Sequence, residues 1–135
     1  MREIEFRAKR IDNNEWCYGF LADTNLICYW GETGDAKQYN DFLIKDETVG
    51  QYTGLKDKNG KKIFEGDIVK VFCDCDGWLP HKRYLNGKVC YNQDFFDYEI
   101  NYDHIRYGYD ESLCNQSDNI EVIGNIYDNP ELIGE

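Results

Sequence analysis

Ile4, Phe6 and Ala8 alternate with Glu3, Glu5, Arg7 and Lys9, a period of two that predicts a strand with one covered and one wet face. Asp12-Asn13-Asn14-Glu15 reverses the chain. Beyond it Trp16, Tyr18 and Phe20 fall on one side and Cys17, Gly19 and Leu21 on the other, so the first element reads as a β-hairpin. Asn25 to Trp30 is a further short strand, Gly31 to Lys37 a polar loop, and Tyr39 to Lys45 a strand built on Phe42, Leu43 and Ile44. Val49 and Tyr52 are expected to be covered.

The stretch Thr53 to Val71 is the most strongly specified. Asp57, Asn59 and Gly60 suit a tight turn over Lys56 to Lys61, because Asx side chains bond their own backbone and glycine accepts positive φ. Glu65-Gly66-Asp67 makes a second break, and Ile68, Val69 and Val71 supply a β-branched strand. Cys73 to Arg83 has no period and reads as an exposed loop. Asn86-Gly87, between Arg83-Tyr84-Leu85 and Lys88-Val89-Cys90-Tyr91, carries the signal of a two-residue hairpin turn. Phe95 to Tyr109 is expected to hold one or two strands, Gly108 to Asn119 a loop, and Glu121 to Tyr127 the strand that closes the sheet. Asp128-Asn129-Pro130-Glu131-Leu132 opens as a helix opens, with too little chain left for more than a turn. No segment sustains a 3.6-residue apolar period, so the fold class is all-β.

Three segments carry a resemblance. Gln51 to Gly60 followed by Ile63-Phe64-Glu65-Gly66-Asp67-Ile68-Val69 resembles the signature of YopX-type phage proteins. Arg2 to Arg10 with Trp16-Cys17-Tyr18-Gly19-Phe20 is similar to that family's opening hairpin, and Ile120 to Leu132 to its closing segment. The resemblance implies a phage or prophage origin and a largely β fold, and it supplies no catalytic residue. Gly66-Asp67-Ile68-Val69-Lys70-Val71 also looks like the opening strand of an SH3-like barrel. The expected architecture is therefore a small SH3-like barrel or pseudobarrel over 53–135, an N-terminal β layer over 1–52 and a short C-terminal helical turn, all in one domain spanning 1–135.

Length and composition agree with a single β-rich domain: 135 residues, 16% aromatic, with 11 Tyr. Formal net charge is −11. Residues 1–72 hold 11 Lys and Arg against 13 Asp and Glu, a net of −2, whereas residues 73–135 hold 4 against 13, a net of −9. That acidity opposes duplex nucleic acid, whose binding relies on cations displacing counterions, and favours a host or phage protein with a basic surface. Unpaired sheet edges leave room for a homo-oligomer. The start of the chain has no apolar run of the secretory kind and no later stretch could span a membrane, so the host cytoplasm, with reduced thiols, is the expected compartment.

Candidate chemistry is sparse. Cys73, Cys75 and His81 are the densest set of metal-ligand residues, but their spacing is not that of zinc ribbons, and no metal is assigned to them. Asp57-Lys58-Asn59-Gly60 and Asp74-Cys75-Asp76-Gly77 echo the start of a calcium loop, yet counting from Asp57 the position that should be a bidentate Glu is Ile68. Cys73 or Cys75 with His81, or Cys114 with His104, are the only thiol and imidazole pairings for nucleophilic catalysis, and no motif surrounds them. Catalytic, cofactor and metal residues are accordingly assigned as none. Lys56, Lys58, Lys61 and Lys62, flanked by Tyr52 and Phe64, form the one basic concentration. Two functions follow as expectations: a non-catalytic phage accessory protein that binds a protein through its acidic C-terminal half, and a weak single-strand nucleic-acid binder that uses the lysine turn with exposed aromatics. The compartment argument predicts that all six cysteines titrate as free thiols after anaerobic denaturation; a markedly lower number, with metal excluded, would overturn it.

Overall fold

Asp57 stands where the sequence places a turn, and its carboxylate organises that turn. A computed structural model describes residues 4–33, 36–72, 84–93, 97–101, 110–112 and 120–133. Asp57 Oδ1 accepts the backbone N–H of Asn59 and of Lys61, both at 2.9 Å, while the Asp57 N–H donates to the Lys61 carbonyl at 2.8 Å. Gly60 takes φ +82°, in the left-handed region that side chains rarely adopt. Oδ2 reaches outside the turn and accepts the N–H of Val122 at 2.9 Å, and the Lys58 N–H donates to the Ile120 carbonyl at 3.1 Å.

The described chain is all-β, with eleven strands: β1 Phe6–Lys9, β2 Trp16–Asp23, β3 Leu26–Thr33, β4 Ala36–Leu43, β5 Gly50–Lys56, β6 Lys62–Phe64, β7 Asp67–Phe72, β8 Tyr84–Asn92, β9 Asp97–Asn101, β10 Asp110–Ser112 and β11 Ile120–Asn125. Two antiparallel sheets run in the orders β4-β3-β2-β1-β5-β6 and β10-β9-β8-β7-β11. The chain divides into two compact units, Met1–Gly54 and Leu55–Glu135, with β5 crossing the division. Each unit has its own core.

In the first unit, cross-strand neighbours share a face. Ala8 pairs with Cys17, Leu21 with Ile27 and Ile27 with Phe42. Ala8, Cys17, Ile27 and Ile44 form the buried cluster, with Phe6, Phe42 and Val49 packed against it. The sheet curls so that the end of β4 meets the end of β1. Arg10 bridges Ile44, the Ile11 N–H donates to Leu43 O at 3.0 Å, and the Lys45 N–H donates to Lys9 O at 2.9 Å. A 3-10 turn at Asp46–Thr48 locks this junction: the Thr48 hydroxyl accepts the Lys9 N–H and donates to Lys45 O.

In the second unit, Ile63, Val69, Val71, Val89, Tyr98, Ile100 and Ile120 form the core, with Leu55 and Val122 against it. Burying one such aliphatic side chain is worth about 1.5–3 kcal/mol. The sheet is open: among the described strands β10 and β11 stand at its two ends, and no barrel closes. A 3-10 turn at Pro130–Ile133 follows β11, as the capping pattern predicts. Asn125 Oδ1 accepts the N–H of Tyr127 and of Asp128, and Asn86 Nδ2 donates to Leu132 O at 3.1 Å, which moors the turn to β8.

Several local expectations are corrected. Asn86-Gly87 is no hairpin turn: both lie inside β8, opposite Lys70 and Val69, and neither has the positive φ that a type I′ turn requires. Gly31 to Lys37 is mostly strand rather than loop, since β3 and β4 stay paired out to Thr33 opposite Ala36. Asp110–Ser112, placed in a loop by its polarity, pairs with β9 as β10. The face of β1 expected to be wet is also covered. Arg7 and Lys9 are 6% and 8% exposed while Ile4 is 60% exposed, because Trp16 of β2 lies over both cations. Its ring centroid is 4.7 Å from the Arg7 guanidinium carbon and 5.5 Å from Lys9 Nζ, a cation–π geometry worth about 0.5–2 kcal/mol.

Removing the Asp57 carboxylate should cost more than any single turn residue elsewhere. Asp57→Ala leaves three backbone N–H groups unmet and should lower stability by about 2–5 kcal/mol. Asp57→Asn, which turns one acceptor into a donor, should cost about 1–3 kcal/mol by urea denaturation. Burial would raise this carboxyl's pKa, but the N–H groups of Val122, Lys61 and Asn59 together hold it below its ordinary 3.8. The unfolded chain therefore takes up this proton first as pH falls. Asp57's stabilisation should be complete above about pH 5 and lost below 3.8, through the lowered folded value, so the gap between wild type and Asp57→Asn should shrink with acid. A gap unchanged down to pH 2 would show that the charge is not what holds the turn.

Gly124 sits at the bulge of β11, where a Cβ would lie 2.5 Å from Asn129 Oδ1 and 2.8 Å from its Cγ. Gly124→Ala should cost about 1–3 kcal/mol. Adding Asn129→Ala should return part of that loss, a coupling of about 1 kcal/mol in a double-mutant cycle; strictly additive losses would place the clash elsewhere.

Candidate interaction surfaces

The lysine turn is built by backbone geometry around Asp57, which leaves its cations outside. Lys56, Lys58 and Lys61 are exposed and Lys62 is half-buried. Lys58 Nζ lies 3.7 Å from Glu121 Oε2, an exposed pair worth at most about 1 kcal/mol, so an acidic residue of β11 already faces part of this charge. Tyr52 and Phe64, the flanking aromatics, are buried at 3% and 4% exposure and offer no face for stacking. Asp57 itself uses both carboxylate oxygens on backbone donors, which accounts for the residue that echoed a calcium loop.

A second surface was not singled out by sequence. On the outer face of the first unit's sheet, opposite the Ala8 and Cys17 core, Tyr18 pairs with Arg7, Phe20 with Cys28, and Leu26 with Leu43. Tyr18, Phe20 and Leu43 are exposed, at 46%, 58% and 59%. Cys28 stands between Phe20 and Asp41, and a hydrogen bond to the Asp41 carboxylate, with burial, pushes its thiol pKa up. Burial likewise raises the Cys17 thiol, which donates to Ala8 O at 3.4 Å. Both are poor thiolates and therefore poor nucleophiles at neutral pH. The alternation of Trp16, Tyr18 and Phe20 was the available signal for this face; what it could not show is which side the core takes.

Beside that face, Arg10, Ile11, Asp12, Asp41, Phe42 and Leu43 line an open pocket of about 350 Å³. Arg10 is held in place there. Its Nε and Nη2 donate to the two Asp12 oxygens at 2.9 and 2.6 Å, and its guanidinium carbon lies 4.0 Å from the Phe42 ring centroid. The hydrogen bond from Arg10 holds the Asp12 carboxyl below its ordinary value.

The other candidates lie outside the described residues: Cys73, Cys75, His81, His104 and Cys114, with Asp74, Asp76, Asp94, Asp103 and Asp118. Cys17, Cys28 and Cys90 are free thiols. Of the acidic half, Glu99 lies with an oxygen 4.0 Å from Cys90 Sγ, and Asp128 and Glu131 are exposed. Among the described residues, no three His, Cys, Asp or Glu converge as a metal site, and no helix is long and apolar enough to cross a membrane.

Comparison with known proteins agrees with the arrangement of elements. The crystal structure of protein EF1440 from Enterococcus faecalis is similar over 98% of this chain and 99% of that one, with a TM-score of 0.59 at 22% identity, a likeness of fold. No curated protein sequence matches the chain. The YopX family, described as YopX protein, matches residues 5–134, nearly the whole length, which takes in two of the three signature segments entirely and the opening one from Glu5 onward. The chain belongs to the YopX family.

Proposed function

We propose that this chain is a non-catalytic phage or prophage accessory protein that works in the host cytoplasm and binds a protein with a basic surface through its acidic C-terminal half. The observation that carries the reading is the charge distribution: a net of −9 over residues 73–135 against −2 over residues 1–72. Such a field attracts cationic surfaces and repels phosphates over roughly a Debye length, about 8 Å at physiological salt. The burial of Tyr52 and Phe64, and the Glu121 carboxylate beside Lys58, weigh in the same direction. They remove stacking surface and dilute the cations that a single strand would need.

The test begins with affinity purification from a host during phage growth, followed by binding measurements with the purified partner. Neutralising Glu99, Asp110, Glu111 and Asp118 as amides should weaken binding by about tenfold or more, and raised salt should weaken it further. Lys58→Glu, Lys61→Glu and Lys62→Glu together should change it little. Fluorescence anisotropy with a labelled single-stranded oligonucleotide at low salt gives the opposing outcome. Micromolar binding lost on lysine reversal, and improved by the acid-to-amide changes, would overturn the proposal in favour of a nucleic-acid binder.

A further inference from the structure

We propose that the outer edge of β4 is a self-recognition edge, on which a second copy of this chain adds its own β4 antiparallel about a twofold axis at Tyr39. β4 ends its sheet, and β3 pairs with its inner side at every residue from Ala36 to Leu43. Among the described strands none pairs with its outer side before Leu43 and Ile44, where Arg10 and Ile11 close it. The edge left open, from Ala36 to Phe42, is a template for another strand.

The other long edge strand is treated differently. On β11 the outward Val122 N–H goes to Asp57 and the outward Ile120 carbonyl to Lys58 N–H, so that edge is closed from within the chain.

The occupant follows from charge. β4 reads Ala-Lys-Gln-Tyr-Asn-Asp-Phe-Leu and carries one cation, Lys37, and one anion, Asp41. In an isologous antiparallel pair, residue i opposes j and j opposes i. Centring the axis on Tyr39 sets Lys37 of each copy at the register position opposite Asp41 of the other, and sets Gln38 opposite Asn40. Both charges of the strand are then matched twice, and no like charges meet. Exposed Leu43, two residues beyond Asp41 on the same strand, lies on the same face of β4. Asp41 also accepts from the Cys28 thiol, which holds it on that face.

Sedimentation equilibrium on the full chain tests this. Wild type should show a concentration-dependent dimer. Asp41→Lys and Lys37→Asp should each weaken it by about tenfold or more, because each creates two like-charged pairs. An equimolar mixture of the two variants should regain a dimer, since every pair in the heterodimer is again of opposite sign. Circular dichroism melts establish that each variant is folded, and Lys37→Asp is read alone if Asp41→Lys is not. A wild-type monomer at all concentrations, a dimer undiminished in the folded variants, or no recovery on mixing of two folded variants would each overturn the proposal.

Discussion

A single carboxylate taken almost out of water holds the second unit together. An ion in that position is costly unless its lone pairs are met. At Asp57 they are met by three backbone N–H groups, two from its own turn and one from β11. The turn then delivers β6, whose Ile63 enters the core, and β11 is held at one side by β7 and at the other by the turn. A hydrophobic cluster supplies most of the attraction but has no direction. The carboxylate supplies the direction, because only one placement of β11 meets its free oxygen.

Much of this architecture is legible in the residues themselves. The Asp57, Asn59, Gly60 turn and the β-branched strand after it are local, and local chemistry decides them. The C-terminal turn is legible for the same reason, since Asn125, Asn129 and Pro130 act on their own neighbours. Asn86-Gly87 shows where local reading stops. The pair is equally good chemistry for a hairpin, but β7 pairs with both residues, β9 takes up the other side of β8 from Lys88 onward, and Asn86 also finds a distant partner in the Leu132 carbonyl. Tertiary pairing outweighs the intrinsic preference.

The first unit is misread for a different reason. A period of two says that a strand has two faces, and polarity says which is wet, provided water lies on the other side. Arg7 and Lys9 break that inference because Trp16 offers them a ring in place of water. Tyr18, Phe20 and Leu43 break it from the other direction, being apolar and exposed. The core instead gathers small and branched residues, Ala8, Cys17, Ile27 and Ile44, on the opposite face, with Phe6 and Phe42 packed at its margin. The charge asymmetry that motivates the proposed function is plain in the sequence, though where those carboxylates point is not.

The bond from Asp57 to Val122 spans 65 residues of sequence, whereas β1 to β4 pair as successive neighbours. Closing a long loop takes more entropy than closing a hairpin, and it slows the search for native pairs. During synthesis the first unit can therefore assemble as it emerges, hairpin upon hairpin. The turn at Asp57 would leave the ribosome with one oxygen still hydrated, waiting for a strand 65 residues further along the chain. The turn's last hydrogen bond would then form only once β11 has been made, so the second unit would be completed later than the first.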